Sequence, residues 1–369
     1  MIYLDYGATS FRKPPQVTRA MVRAMQTCAN PGRGGYGAAM RAAETVYQCR
    51  EAASQLFSCR PEQVVLTNSC THGLNIAIAS LIKPGMPVAV SGFEHNAVIR
   101  PLHAIGANIV VCGRRLFDWE DSLDAFRKAI KAGVSAVVVT HVSNVFGYVL
   151  PVEEIAAMCA EAEVPLILDG AQSAGSLPID MGKLKAAFVA MPGHKGLLGP
   201  QGTGLLLCAR DAKPLLYGGT GSASISREMP PDLPERLEPG TLNVPGFAGL
   251  TEGLRYLQRT GVEQIGKREH LHLKKTAQGL KDLGMRVFSG PHQASTVSFL
   301  PGTDCEEAAD LLAQQGIAVR AGLHCAPVAH ESAGTLQTGT VRVSFGWDAS
   351  DIQRERFLRA ASKLPGFPG

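Results

Sequence analysis

Between Val64 and Cys208 the chain repeats one pattern: a short run that is apolar throughout, then a longer stretch with helical spacing. The runs are Val64–Thr67, Pro87–Ser91, Asn108–Cys112, Ala136–Thr140, Pro165–Asp169, Ala187–Met191 and Thr203–Cys208, with helices expected over Thr71–Leu81, Trp119–Ala132 and Val152–Ala162. A strand buried on one face alternates apolar with polar residues, whereas a strand covered on both faces does not. The pattern therefore predicts an α/β fold, a mainly parallel sheet with helices on both faces. The segment Gly193–Gly202 is too short for a helical crossover, so the last two strands are expected to pair antiparallel.

Beyond this block the composition shifts. Residues Gly218–Gly246 are rich in Gly, Ser, Pro and charge and read as an irregular linker or site border. A helix over Phe247–Leu283, broken near Gly261, leads to candidate strands at Arg286–Phe288, Ala294–Phe299, Ala318–Arg320 and Val341–Phe345. These define a smaller α+β region. The expected division is a large domain over 14–247 and a small one formed by 1–13 and 248–369.

Composition narrows the function classes. Of 369 residues 45% are hydrophobic and 18% charged, which gives ample core for a soluble globular protein. The formal charge of +4 is spread without like-charge runs, so nucleic acid is not an expected partner. No apolar stretch approaches the ~20 residues that span a bilayer. No basic-then-apolar leader precedes Asp5. Nine cysteines without a C-x-x-C pair suggest neither a metal ribbon nor a disulfide framework, and reduced thiols in the cytoplasm are expected.

Chemistry-bearing residues collect just after the predicted strands, where ligands of open α/β sheets gather. Asp169 ends an apolar strand and is followed by Gly170-Ala171-Gln172-Ser173. A carboxylate there suits a pyridine nitrogen that must stay protonated, as in pyridoxal-5′-phosphate (PLP) chemistry; alone it also fits a helix N-cap. Lys195, in Pro192-Gly193-His194-Lys195-Gly196, has no helical context and suits Schiff-base formation, a surface-turn lysine being the alternative. Thr67–Gly73 before a helix offers hydroxyls and free N–H groups to a phosphate, or simply caps the helix through Asn68 or Ser69. His95, after another strand, can stack on a ring or move protons, or be an ordinary loop histidine.

Together these motifs resemble the class V, fold-type I aminotransferase group and specifically its cysteine desulfurase family. The likeness runs from Tyr3-Leu4-Asp5 through Asn30-Pro31-Gly32-Arg33-Gly34-Gly35 and Glu238-Pro239-Gly240-Thr241-Leu242-Asn243 to the C-terminal helix. Its most telling stretch is Arg320-Ala321-Gly322-Leu323-His324-Cys325-Ala326-Pro327, which is similar to the sulfur-accepting loop of group II desulfurases. The resemblance implies that Lys195 holds PLP, Asp169 faces the ring nitrogen, Gln172 bonds the ring hydroxyl and His95 stacks on the ring. It implies that Thr71 and His194, with Cys70 beside them, bind the phosphate, together with Thr241 from the other subunit of a homodimer. Asn144 and Arg342 would hold the substrate carboxylate, with Arg320 near the nucleophile. Cys325 would take sulfur from L-cysteine, releasing L-alanine and leaving a persulfide for a sulfur-acceptor protein or thiol. Arg320 and His324 are expected to favour its thiolate.

The chain departs from the family pattern at several positions. Cys70 stands where Thr is frequent, His72 where Glu is common, Pro192 where a Ser would bond phosphate and Leu323 where a His occurs. Asp5-Tyr6-Gly7-Ala8-Thr9 replaces the usual Asp-Asn-Ala-Ala-Thr. These differences suggest a distinct branch, in which the partner that accepts the sulfur can differ. The rival readings are another class V enzyme (selenocysteine lyase acting on L-selenocysteine, an aminotransferase or an epimerase-like member) and a non-enzymatic scaffold on the same fold.

Overall fold

The computed structural model describes residues 1–365 apart from 33 and 223. Arg33, within the 30–35 stretch, and residues 366–369, the end of the expected small domain, lie outside the described residues.

The N-terminal part holds β1 (Ile2–Tyr3), α1 (Pro15–Thr27) and α2 (Gly37–Phe57). The central block follows: β2 (Val64–Thr67), α3 (Cys70–Leu81), β3 (Pro87–Ser91), α4 (Asn96–Ala104), β4 (Asn108–Cys112), α5 (Trp119–Lys131), β5 (Ala136–Thr140), α6 (Val152–Glu161), β6 (Leu166–Asp169), α7 (Met181–Leu184), β7 (Phe188–Pro192) and β8 (Gly204–Cys208). Its seven strands form one sheet in the order β2-β8-β7-β6-β5-β3-β4. The pairs among β3 to β7 are parallel, while β8 runs antiparallel to both β7 and β2. Both expectations for this sheet are borne out, and the apolar strands are buried from two sides as their composition requires. One layer packs α5, α6 and α2 on the sheet through Phe57, Phe126, Ile155 and Val139, and the other packs α3 and α4 through Leu74, Leu102, Val90 and Ile167.

The chain then forms α8 (Val244–Thr260) and α9 (Val262–Asp282), separated at Gly261 with φ +87°. That is the break the sequence indicated. The remaining elements are β9 (Arg286–Phe288), β10 (Thr296–Leu300), α10 (Cys305–Gln314), β11 (Ile317–Ala318), β12 (Arg320–Gly322), α11 (Pro327–Ala333), β13 (Thr340–Ser344) and α12 (Asp351–Ala361). An antiparallel sheet β12-β13-β10-β9 packs against α9, α10 and α12 around Leu273, Val297, Leu312 and Phe357.

Here the single strand expected over Ala318–Arg320 is corrected to two. Ile317–Ala318 pairs in parallel with β1, while Arg320–Gly322 turns to pair with β13. The N-terminal strand claims the first half, which a local reading of residues 318–320 has no means of detecting.

Candidate active site

The parallel strands deliver their C-terminal ends to one edge of the sheet, and five loops leaving that edge enclose a cavity. It is lined by Cys70, Thr71, His95, Asn144, Asp169, Gln172, His194 and Lys195 among others. Eight residues singled out from sequence thus converge on one cavity. At its floor the Ser69 side chain caps α3 by accepting from the His72 N–H at 3.2 Å, leaving other first-turn N–H groups to face an anion.

The electrostatics follow from burial. Lys195 is held below the ordinary lysine range by desolvation, which its attraction to Asp169 only partly offsets. Its amine is biased toward the neutral, nucleophilic form. Burial pushes Asp169 up from the usual carboxylate range, opposed by the Ala171 N–H, Lys195 and the Cys70 thiol. That thiol is itself raised well above the ordinary cysteine value, by burial and then by Asp169. It therefore stays protonated and donates to Asp169 Oδ1 at 3.5 Å, the same oxygen that accepts from the Ala171 N–H at 2.9 Å. Residue 70 thus supports the carboxylate as well as lying at the start of α3.

His95 is driven down to about 4, first by burial and then by Lys195 and Arg320. Its Nδ1 accepts from the Ala97 N–H at 2.9 Å, so the neutral ring carries its proton on Nε2. His194 is likewise lowered to about 4 by burial, and its Nδ1 lies 3.0 Å from Thr9 Oγ1. Beneath His95 sits Glu94, fully buried, whose Oε1 accepts from Ser91 N, Ser91 Oγ and Thr140 N at 3.2, 2.5 and 2.9 Å. Glu94 pins the His95 loop to the end of β5. The sequence offered it only as the residue before a histidine.

The remaining candidates do not line the cavity. Cys325 is exposed, and its carbonyl accepts from Asn96 N, the residue after His95, at 2.8 Å. Cys325 and His324 both occupy left-handed backbone, with φ of +57° and +50°. For residues with a side chain this costs roughly 1–3 kcal/mol each. His324 is corrected as a cationic helper of the thiol. It is buried, lowered to about 2 by desolvation and then by Arg342, and its Nε2 faces Thr340 O at 3.2 Å. Arg342 is 1% exposed, with Nη2 2.5 Å from Asp5 Oδ1 and Nη1 donating to Asn144 O at 2.9 Å. Arg320 lies opposite it on β12 and is exposed. Thr241 is exposed on the segment before α8, away from this chain's own cavity.

Two supports have no local signature. The N-terminal segment threads the site: Gln172 Nε2 donates to Gly7 O at 2.9 Å, Gly7 N to Ser344 Oγ at 2.8 Å, and Ser10 N to His194 O at 2.9 Å. Separately, Arg50 forms a buried pair with Glu238, whose Oε1 also accepts from Leu66 N at 2.6 Å. This fastens the segment ahead of Thr241 to β2. Among the described residues there is no metal-ligating cluster and no helix long and apolar enough to cross a membrane.

The donor set fits pyridoxal phosphate: a desolvated amine, a buried carboxylate, a neutral imidazole and a capped helix N-terminus share one cavity. Within it the buried Asn144 Oδ1 has no protein partner. Comparison with known proteins places the chain in a class: it belongs to the aminotransferase class-V family, whose model matches residues 2–356. Its similar curated relatives are probable cysteine desulfurases. That of Pyrococcus abyssi is 31% identical over 99% of this chain and 94% of its own, and that of Methanothermobacter thermautotrophicus is 32% identical over 93% and 89%. Among solved structures, a cysteine desulfurase from Thermococcus onnurineus NA1 is 30% identical with a TM-score of 0.90, covering 98% of this chain and 94% of its own. The desulfurase CsdA of Escherichia coli is 26% identical with a TM-score of 0.85, covering 97% and 93%.

Proposed function

We propose that this chain is a PLP-dependent cysteine desulfurase, converting L-cysteine to L-alanine with the sulfur left as a persulfide on Cys325. The observation that carries this reading is the joining of two constellations. Lys195, Asp169 and His95 share one cavity, and an exposed cysteine is bonded through its backbone to the residue next to His95.

In this reading Lys195 holds the cofactor, Asp169 faces its ring nitrogen, Gln172 its ring hydroxyl and His95 its ring face. Thr71, His194 and the start of α3, with Cys70, receive the phosphate. When bound, the cofactor supplies an electron sink next to the substrate Cα. The chain's own residues do the rest. Desolvation keeps Lys195 Nζ able to take up the Cα proton. Neutral His95 keeps its Nε2 proton for transfer without adding a positive charge. The Cys325 thiolate attacks the substrate sulfur: an S–S bond forms, the substrate Cβ–S bond breaks, and Cβ takes a proton as alanine leaves. Arg320, Arg342 and Asn144 surround the space for the substrate carboxylate.

Thr241, exposed and fastened through Glu238, suits supply to a neighbouring subunit's phosphate site, and a homodimer is part of the proposal. So are a sulfur-acceptor protein or thiol, a cytoplasmic setting, and the division into 14–247 against 1–13 with 248–369. The test is mass spectrometry of the PLP-loaded protein after L-cysteine is added. The expected result is one added sulfur on Cys325 with alanine released. Full alanine release by Cys325→Ala would overturn the proposal.

A further inference from the structure

His324 and Cys325 are consecutive, neither is glycine, and both have positive φ. Left-handed backbone is sterically disfavoured for L-residues and persists where the surroundings over-determine it. Two bonds do so here. The Asn144 side-chain N–H donates to His324 O at 2.8 Å, and the Asn96 backbone N–H donates to Cys325 O at 2.8 Å. A carbonyl oxygen can only accept, so the Asn144 amide must turn its nitrogen toward it. The second bond is backbone and independent of residue type; the first depends on one side chain. Asn144 is itself anchored, because its own carbonyl accepts from Arg342 Nη1 at 2.9 Å. Its Oδ1 has no partner, and one of its two Nδ2 hydrogens is engaged at His324 O.

We infer that Asn144 is a positioning residue for the nucleophile: its amide N–H holds the His324–Cys325 corner and so sets Cys325 against the cofactor cavity before substrate arrives. This rests on the reading of Cys325 as the sulfur acceptor, and deepens it. A residue that acts only by binding substrate leaves the substrate-free loop unchanged, whereas a clamp does not.

The test uses the PLP-loaded protein with Asn144→Asp, which keeps the shape but loses the donor, and Asn144→Ala beside it. Hydrogen exchange of the Asn96 amide is measured without substrate, and the appearance of sulfur on Cys325 is followed in a single turnover at saturating L-cysteine. The expected result is exchange about tenfold faster in both variants, the factor one net hydrogen bond carries. Sulfur transfer at saturating L-cysteine is expected to slow by about tenfold with the visible cofactor band retained. Unchanged Asn96 exchange in the substrate-free protein would overturn the inference and leave Asn144 a substrate ligand alone. Failure of the unsubstituted chain to load sulfur on Cys325 would instead remove the functional reading, and the exchange result would still stand by itself.

Discussion

Lys195 and Cys325 are presented in different ways. Lys195 follows β7 on a turn stitched by ordinary backbone bonds, Gly193 N to Thr203 O at 2.9 Å, Gly199 N to Gly193 O at 2.7 Å and Leu198 N to Lys195 O at 3.0 Å. Cys325 follows β12 on two left-handed residues held from outside, by Asn144 and Asn96. The lysine's place is a property of the sheet; the cysteine's is a property of a junction between segments distant in sequence. The cofactor end should therefore survive damage at the nucleophile end, while the reverse should not hold.

The strongest way to break this asymmetry is at its two reacting atoms. Lys195→Ala is expected to lose the covalently retained visible absorbance after gel filtration and at least about 10³-fold in alanine release. Cys325→Ala should abolish persulfide formation while the absorbance band persists; loss of the band in that variant would show that the two ends are not separable. Next in size is the buried Arg50–Glu238 pair. Arg50→Ala strands the Glu238 carboxylate and should cost about 3–5 kcal/mol in urea unfolding, with the cofactor band weakened by release of the segment ahead of Thr241.

A smaller effect concerns pH. Glu269 is 6% exposed, and burial pushes its carboxyl up to about 8. The folded state thus keeps a proton that the unfolded chain releases near the ordinary glutamate value. Stability should fall as pH rises between about 4.5 and 8, by at most about 1.4 kcal/mol per unit from this group. Glu269→Gln should flatten that slope in thermal melts. The smallest effect is Ser69→Ala, expected to cost about 1 kcal/mol through loss of the α3 cap and to weaken PLP retention at the phosphate end only.

The same asymmetry governs what could be read from sequence. The strands from Val64 to Cys208 were legible because each is apolar throughout, and the cofactor residues because they follow those strands directly. At the nucleophile end, recognising Cys325 required resemblance to a loop. Nothing local in His324-Cys325 announces left-handed backbone, or the burial that keeps His324 from being a cation. The Asp5–Arg342 and Arg50–Glu238 pairs join segments 337 and 188 residues apart, so periodicity carries no trace of them. The two-residue β1 was invisible for the same reason, and it is what divides the strand expected at 318–320.

The threading of residues 5–10 through the site has a consequence for the order in which the molecule is made. Asp5 and Gly7 leave the ribosome before their partners Gln172, Arg342 and Ser344, which follow 165 to 337 residues later. A nascent chain can hold the seven-stranded sheet and every residue lining the cavity while Asp5 and Gly7 still await Arg342 and Ser344. The anchoring of the segment that supports Gln172 is thereby tied to synthesis as far as Ser344, so a product cut short of it with Lys195 in place should hold pyridoxal phosphate less firmly.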